Sequence, residues 1–249
     1  MKRSHFVIGL IFIVLLIDQV LKIWVKLNMP LGDSFKVMGL SWFQIHFTEN
    51  PGMAFGIEFG GSYGKLALSV FRIAVVTFIA VFLTRLVKKE ATYLLLSCIA
   101  LIFAGAVGNI LDSVFYGLVF SDSGTFHSPE IATFMPSEGG YAPMLYGKVV
   151  DMLYFPMVEG FWPEWVPYVG GNYFLFFQPI FNIADSAISI GVAMAIIFYR
   201  RFQFELEPPQ TKETPIVATE TPPPTDSNDI PTTNTDTTET TTDTSSEQA

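Results

Sequence analysis

Four apolar runs set the limits on how this chain can fold. Residues 6–25, 66–84, 92–111 and 180–199 each come close to the roughly 20 residues that carry a helix through a hydrocarbon core about 30 Å thick. Half of the 249 residues are hydrophobic and only 15% are charged, a balance foreign to a soluble domain. Backbone crossing lipid must satisfy its own hydrogen bonds, so each run is expected to be a helix. The predicted fold class is an α-helical polytopic membrane protein with four transmembrane helices.

Flanking charge predicts the orientation. Lys2 and Arg3 precede the first run; Arg85, Lys88 and Lys89 lie between the second and third; Arg200 and Arg201 follow the fourth. Basic residues mark the cytoplasmic side. Both termini are therefore expected inside, with residues 28–63 and 117–179 outside. A cleavable signal peptide is the competing reading of the first run, but the run is too long and no small-residue cleavage site follows it. The net charge of −9 is misleading. From Gln203 onward there are ten acidic residues against one basic, whereas residues 1–202 carry thirteen of each. Residues 1–202 are read as a membrane-embedded domain and 203–249 as an acidic, Thr/Pro-rich tail that cannot bury enough surface to fold. With no basic patch, nucleic acid is not an expected partner.

Both outer segments have recognisable chemistry. Residues 28–63 mix aromatic and β-branched residues with Pro30, Gly32 and the turn Asn50-Pro51-Gly52, which predicts a small platform of short strands. Residues 117–179 are rich in aromatics, Pro and Gly, and the stretches FWPEWVPY and NYFLFF are expected to lie on or dip into the membrane surface.

Polar residues inside the apolar runs are costly, roughly 3 kcal/mol for a carboxylate at the bilayer centre, and such residues usually face a cavity with a task. Asp185 is the first of them, accompanied by Asn182, Ser186 and Ser189. A plain alternative is that it neutralises a helix N-terminus. In the first run Asp18 and Lys22 are four apart, on one helical face. They can neutralise each other, or join Trp24 and Lys26 in anchoring a helix end at the interface. In FAGAVGNILDS, residues Ala104, Gly108 and Asp112 recur every four positions with Gly105 and Asn109 beside them. This predicts a close-packed face that becomes a cavity wall. Arg72, inside the second run, is expected to snorkel to lipid phosphates, the alternative being a polar cavity. Cys98 is the single cysteine and there are three histidines, so neither a disulfide, a metal nor a cofactor is expected.

Asp185 lies about five residues into the fourth run, hence roughly 8 Å below the outer surface, and Asp151, in GKVVDMLYF, approaches from the same side. Two carboxylates converging in a poorly solvated site share a proton, one acting as base and the other as acid. That is the arrangement of an aspartic hydrolase.

Five blocks occur in order: DQVLK from Asp18, NPGMAFG from Asn50, GAVGNILD from Gly105, VVD ending at Asp151, and FNIADSAISIG from Phe181. With these, the chain resembles signal peptidase II, the lipoprotein signal peptidase family. The resemblance implies an aspartic endopeptidase of the bacterial inner membrane that cleaves prolipoproteins before a diacylglyceryl-modified cysteine. It also implies a small β cradle and an interfacial periplasmic element closing over substrate, with membrane lipids as partners and a monomer as the expected state. Carried over by position, Asp151 and Asp185 are the catalytic pair. Asn50, Gly52, Asn109, Asn182, Asp18, Lys22 and Asp112 surround the substrate, with Arg72 added as a possible replacement cation. The chain departs from the family where Ser113 stands in place of a common Arg, and in long intervals before and after Asp151. A small transporter or a noncatalytic membrane binding protein would also carry buried polar residues. The clustering of polar groups toward one face and the lack of an inverted second half argue against transport. With neither HExxH nor GxSxG in the sequence, zinc and serine hydrolases are disfavoured.

Overall fold

The structure, a computed structural model, describes residues 2–51 and 61–206. Gly52 and the expected tail from residue 207 onward lie outside the described residues. In chain order the elements are α1 (Arg3–Asn28), β1 (Ser34–Lys36), β2 (Gln44–Asn50), α2 (Gly61–Lys88), α3 (Tyr93–Leu111) and, after a π-helical turn at Asp112–Tyr116, the single turn α4 (Gly117–Val119). Then come β3 (Gly124–Thr125), β4 (Ser128–Pro129), β5 (Val149–Tyr154), β6 (Val158–Phe161), β7 (Tyr173–Phe176), β8 (Ile180–Phe181), α5 (Ile183–Ile197) and α6 (Tyr199–Leu206).

Among the described residues three helices are long and apolar enough to cross a membrane: α1, α2 and the continuous stretch Tyr93–Val119. Their outward faces expose Ile8, Phe12, Phe71 and Phe78, as lipid-facing helices do. The fourth run differs from the expected 180–199 span. Ile180 and Phe181 pair with Tyr154 and Leu153 as a strand, and α5 has 15 residues, or about 22 Å at 1.5 Å per residue. The helix cannot start earlier because Asn182 caps it, its side chain accepting from the Asp185 N–H at 2.9 Å. At the other end φ and ψ leave the helical range at Phe198, and α6 resumes with the Phe202 N–H bonded to the Phe198 carbonyl.

The end of the bundle away from the sheet is tied together by charge. Arg3 donates to the Ala91 carbonyl at 3.0 Å and pairs with Glu90, while Glu205 accepts from the Thr92 N–H and hydroxyl. At the opposite end sits an antiparallel sheet in the order β1-β2-β5-β8, which fulfils the expectation of short strands and recruits Asp151 into them. Thr48 lies opposite Asp151, and the register slips between Ile45 and Thr48, a bulge of the kind that re-aims side chains near active sites. Phe47, Val150 and Met152 are packed beneath the sheet against Val25, Tyr116 and Phe120.

Small residues let α3 and α5 meet closely, as the spacing in FAGAVGNILDS predicts. A Cβ at Gly105 would collide with the Ala184 carbonyl oxygen, and one at Gly108 would stand 2.8 Å from Asp18 Oδ2. Gly105→Ala should therefore destabilise the bundle by about 1–3 kcal/mol through overpacking, read as a lower Tm in detergent. Gly9→Ala, where nothing lies within 4 Å of the new Cβ, should hold Tm or raise it, because alanine favours a helix by about 1 kcal/mol over glycine.

Candidate active site

Asn182 is the hub at which the sheet and the helices meet. As N-cap of α5 it forms a capping box with Asp185: its Oδ1 accepts from the Asp185 N–H at 2.9 Å, and Asp185 Oδ2 accepts from the Asn182 N–H at 3.4 Å. Its amide Nδ2 donates to Asp151 Oδ1 at 2.7 Å, and also lies 3.1 Å from Asn109 Oδ1 and 3.3 Å from the Val150 carbonyl. The two carboxylates singled out in the sequence are thus brought to one residue, Asp151 to its side-chain amide and Asp185 to its backbone N–H. The helix-terminus reading of Asp185 is realised at the same time, since the residue sits at N3 of α5.

Asn109 extends the arrangement into α3. Its Nδ2 donates to Asp185 Oδ1 at 2.7 Å while its Oδ1 accepts from Lys22 Nζ at 2.9 Å. Lys22 in turn lies 3.0 Å from Asp18 Oδ2 and 2.8 Å from Asp112 Oδ2. Asp18 Oδ1 accepts from the Ala184 N–H at 2.9 Å and Asp112 Oδ2 from the Val150 N–H at 3.3 Å. Each of the two carboxylates is therefore braced by a backbone bond to its neighbouring residue, Ala184 beside Asp185 and Val150 beside Asp151. Asp18, Lys22 and Asp112 were expected around substrate, but all are fully buried and engage one another and the backbone. The interface-anchor reading fails for them and for Lys26 as well, which is buried against Glu49 and Ser123. Trp24 alone of that set is exposed.

Asp151 is 5% exposed. Burial, reinforced by the nearby Asp185 charge and opposed by Lys22 and the Asn182 hydrogen bond, raises it to about 7. At that value the carboxyl keeps its proton through the acidic range and loses it near neutrality.

A cavity of about 260 Å³ opens between α2, α3 and α5 and reaches Asp185 and Asn109 past Phe71, Val75 and Ile188. Arg72 lines it together with Asp185 and Asn109. This agrees with the cavity alternative of the two readings of Arg72. Ser113, where a cation was missed, is nearly buried and donates to the Asn109 carbonyl at 3.1 Å. Asn50 closes β2 opposite Val149, two residues from Asp151. Gly52 lies outside the described residues.

Two groups of residues escaped the sequence reading. Gln19 joins Asp18, Asp112 and the Gly108 carbonyl through Nε2 and accepts from Tyr116. Its place beside Asp18 in DQVLK was the available clue. A second buried cluster joins Lys26, Glu49, Ser123 and Lys148, fastening residues 121–148 to the sheet. Nothing local in the sequence pairs residues so distant.

Comparison with known proteins places these features among relatives. The sequence profile of the family described as Signal peptidase (SPase) II matches residues 10–201. The chain is similar to the lipoprotein signal peptidase of Porphyromonas gingivalis, at 52% identity over 81% of this chain and 85% of the relative. It is also similar to that of Amoebophilus asiaticus, at 38% identity over 76% and 75%. Among solved structures it resembles a bacterial membrane enzyme determined by the in meso method, with 25% identity, a TM-score of 0.51 and coverage of 84% of this chain and 95% of the other.

Proposed function

Because this chain belongs to the signal peptidase II family, a membrane-embedded peptidase family that removes signal peptides from prolipoproteins, we propose that it cleaves them as an aspartic endopeptidase through Asp151 and Asp185. The observation that carries the reading is the sharing of Asn182 by both carboxylates, through its side-chain amide for Asp151 and its backbone N–H for Asp185, beside a cavity that Asp185 lines. Asp151, held protonated by burial, donates to the carbonyl oxygen of the scissile bond. Asp185, oriented by Asn109 and the Asn182 N–H, takes a proton from water, and that water attacks the carbonyl carbon. The Asp185 proton then passes to the departing amine as the carbon–nitrogen bond breaks, and the proton on the former carbonyl oxygen returns to Asp151 as the carbonyl re-forms. No metal or cofactor enters these steps.

The apolar walls of the cavity suit the signal-peptide segment, and the polar end presents the bond before the diacylglyceryl-modified cysteine to the dyad. Arg72 and Asn50 are assigned to substrate, with Gly52 as a close-approach position. Asp18, Lys22, Asp112, Asn109 and Asn182 are assigned to positioning. Basic residues at the end of the bundle remote from the sheet, Arg85, Lys88, Lys89, Arg200 and Arg201, favour a cytoplasmic location for that end and both termini. The site then opens toward the outer face of the inner membrane. A single chain supplies every assigned group, consistent with a monomer, and the peptidase domain extends past the expected boundary at 202 through α6 to Leu206, where Glu205 accepts from Thr92.

The pH profile tests the dyad. Since Asp151 is raised from 3.8 to about 7, loss of its proton should lower kcat/KM by about tenfold per pH unit above the upper limb of the pair. The linked stability has the same sign: the folded state holds the proton more tightly than the unfolded chain. That contribution is full below about pH 4 and is lost as pH rises through about 7. Cleavage of a lipid-modified prolipoprotein in detergent, measured from pH 5 to 9, checks this. A flat profile with chemistry rate-limiting would refute the shared-proton mechanism.

A further inference from the structure

The 25 residues between β5 and β8 contain nine aromatics and two charges, Glu159 and Glu164, with no Lys or Arg. They fold as a hairpin in which β6 and β7 pair from Val158 with Phe176 to Phe161 with Tyr173. The Trp162 N–H donates to the Asn172 carbonyl and the Gly171 N–H to the Trp162 carbonyl, both at 2.9 Å. Further turns, with the Val166 N–H bonded to the Pro163 carbonyl and the Gly170 N–H to the Val166 carbonyl, pair part of the tip's backbone within the hairpin. Side chains do the opposite. Phe161 is 71% exposed and Trp165 81%, Tyr168 is fully exposed, and Met157, Val158, Tyr173 and Phe176 are each more than half exposed. A patch of this size is not left in water without a partner.

Position and charge select that partner. The hairpin returns through β8, and the next residue, Asn182, caps the apolar helix α5, so its root stands where a membrane helix begins. The root also belongs to a continuous run of rings: Trp42 stacks on Phe155, Phe155 on Phe181, and Phe177 meets Phe181 and Phe176 at 6.1 Å each. Trp24, exposed near the end of α1, adds an edge contact to Phe35 at 6.0 Å. Rings with apolar bodies and polar tips collect at headgroup depth. Glu159 is engaged by the Tyr173 hydroxyl at 2.6 Å, which leaves Glu164 as the charge at the tip and gives the surface no basic residue for anionic lipid or an acidic protein.

We propose that the β6–β7 hairpin is an interfacial anchor that seats Trp162, Trp165 and Tyr168 in the headgroup layer of the bilayer holding α1, α2 and α3. It joins the strand carrying Asp151 to the helix carrying Asp185, so anchoring it fixes the height of the dyad relative to the lipid-modified segment of a prolipoprotein. This consequence rests on the peptidase reading, whereas the anchor itself does not.

The test uses the full chain with Trp24→Phe and Trp42→Phe, leaving Trp162 and Trp165 of the four tryptophans as reporters. The protein is reconstituted in phosphatidylcholine vesicles containing lipid brominated near the headgroup, and iodide serves as the aqueous quencher. Strong quenching by the bromolipid, weak quenching by iodide, and no dependence on added salt are expected. Quenching by iodide without quenching by bromolipid would place the hairpin in water and overturn the proposal. Shielding from both would overturn it too, assigning the face to another protein surface. A parallel cleavage assay separates the two readings: failed quenching with intact cleavage removes the anchor alone, and quenching without cleavage removes the peptidase mechanism alone.

Discussion

Asp151→Asn and Asp185→Asn should each lower prolipoprotein cleavage by at least about a thousandfold, with little change in folding. The estimate follows from the contribution of a positioned acid or base, about 10²–10⁴ in rate, applied to two groups that act as one unit and so fail together. Asparagine keeps the size of the carboxyl and most of its contacts. At Asp151 it can still accept from Asn182 Nδ2 at the 2.7 Å position, and at Asp185 its side-chain oxygen can still meet Asn109. What it cannot do is exchange a proton with water or with the scissile carbonyl. Cleavage of a lipid-modified substrate by matched amounts of folded protein, followed by mass spectrometry, reads the effect. Near-normal turnover by both variants would sink the dyad, and near-normal turnover by one would leave the other in a different mechanism.

The second large effect is on stability. Lys22→Met removes the ammonium that lies within 3.0 Å of both Asp18 and Asp112, leaving two carboxylates fully buried without it. Breaking a buried ion cluster by deleting one partner costs about 3–5 kcal/mol, because the remaining charge is uncompensated. Unfolding in detergent should show a Tm far below that of the native chain. Combining Lys22→Met with Asp18→Asn and Asp112→Asn should recover much of it by removing the stranded charges. Activity should recover less. Lys22 also makes Asn109 present its oxygen inward, which obliges the Asn109 amide to donate to Asp185; methionine removes that constraint. Full recovery of both Tm and turnover in the triple variant would show that Lys22 has no positioning role.

Much of this site was readable in the chain because a polar residue in an apolar run is conspicuous. Asp18, Lys22, Asn109, Asp112, Asn182 and Asp185 were visible for that reason, and the four-residue spacing of Ala104, Gly108 and Asp112 named the face they share. Their division of labour was not visible. The same spacing that marks Asp18 and Lys22 as partners is silent on whether they face substrate or protein, and burial assigns them to the latter. Arg72 shows the reverse case, where a side chain long enough to reach headgroups lines the cavity between α2, α3 and α5.

The sequence by itself determined that the chain carries helices long and apolar enough to cross a membrane, roughly where three of them run, and which carboxylates stand out as candidates for the chemistry. Hydropathy and charge act locally, and a run of 20 apolar residues has few alternatives. Tertiary structure decided the rest. It turned Ile180 and Phe181 into a strand, because β5 offered them a partner, and so shortened the fourth helix to 15 residues. It placed Asp151 opposite Thr48 through a bulge, and brought Glu49 to Lys26 and Lys148 across long stretches of chain. Above all it set Asn182 between two acids 34 positions apart, a contact that depends on the meeting of a sheet edge with a helix cap and that no local pattern encodes.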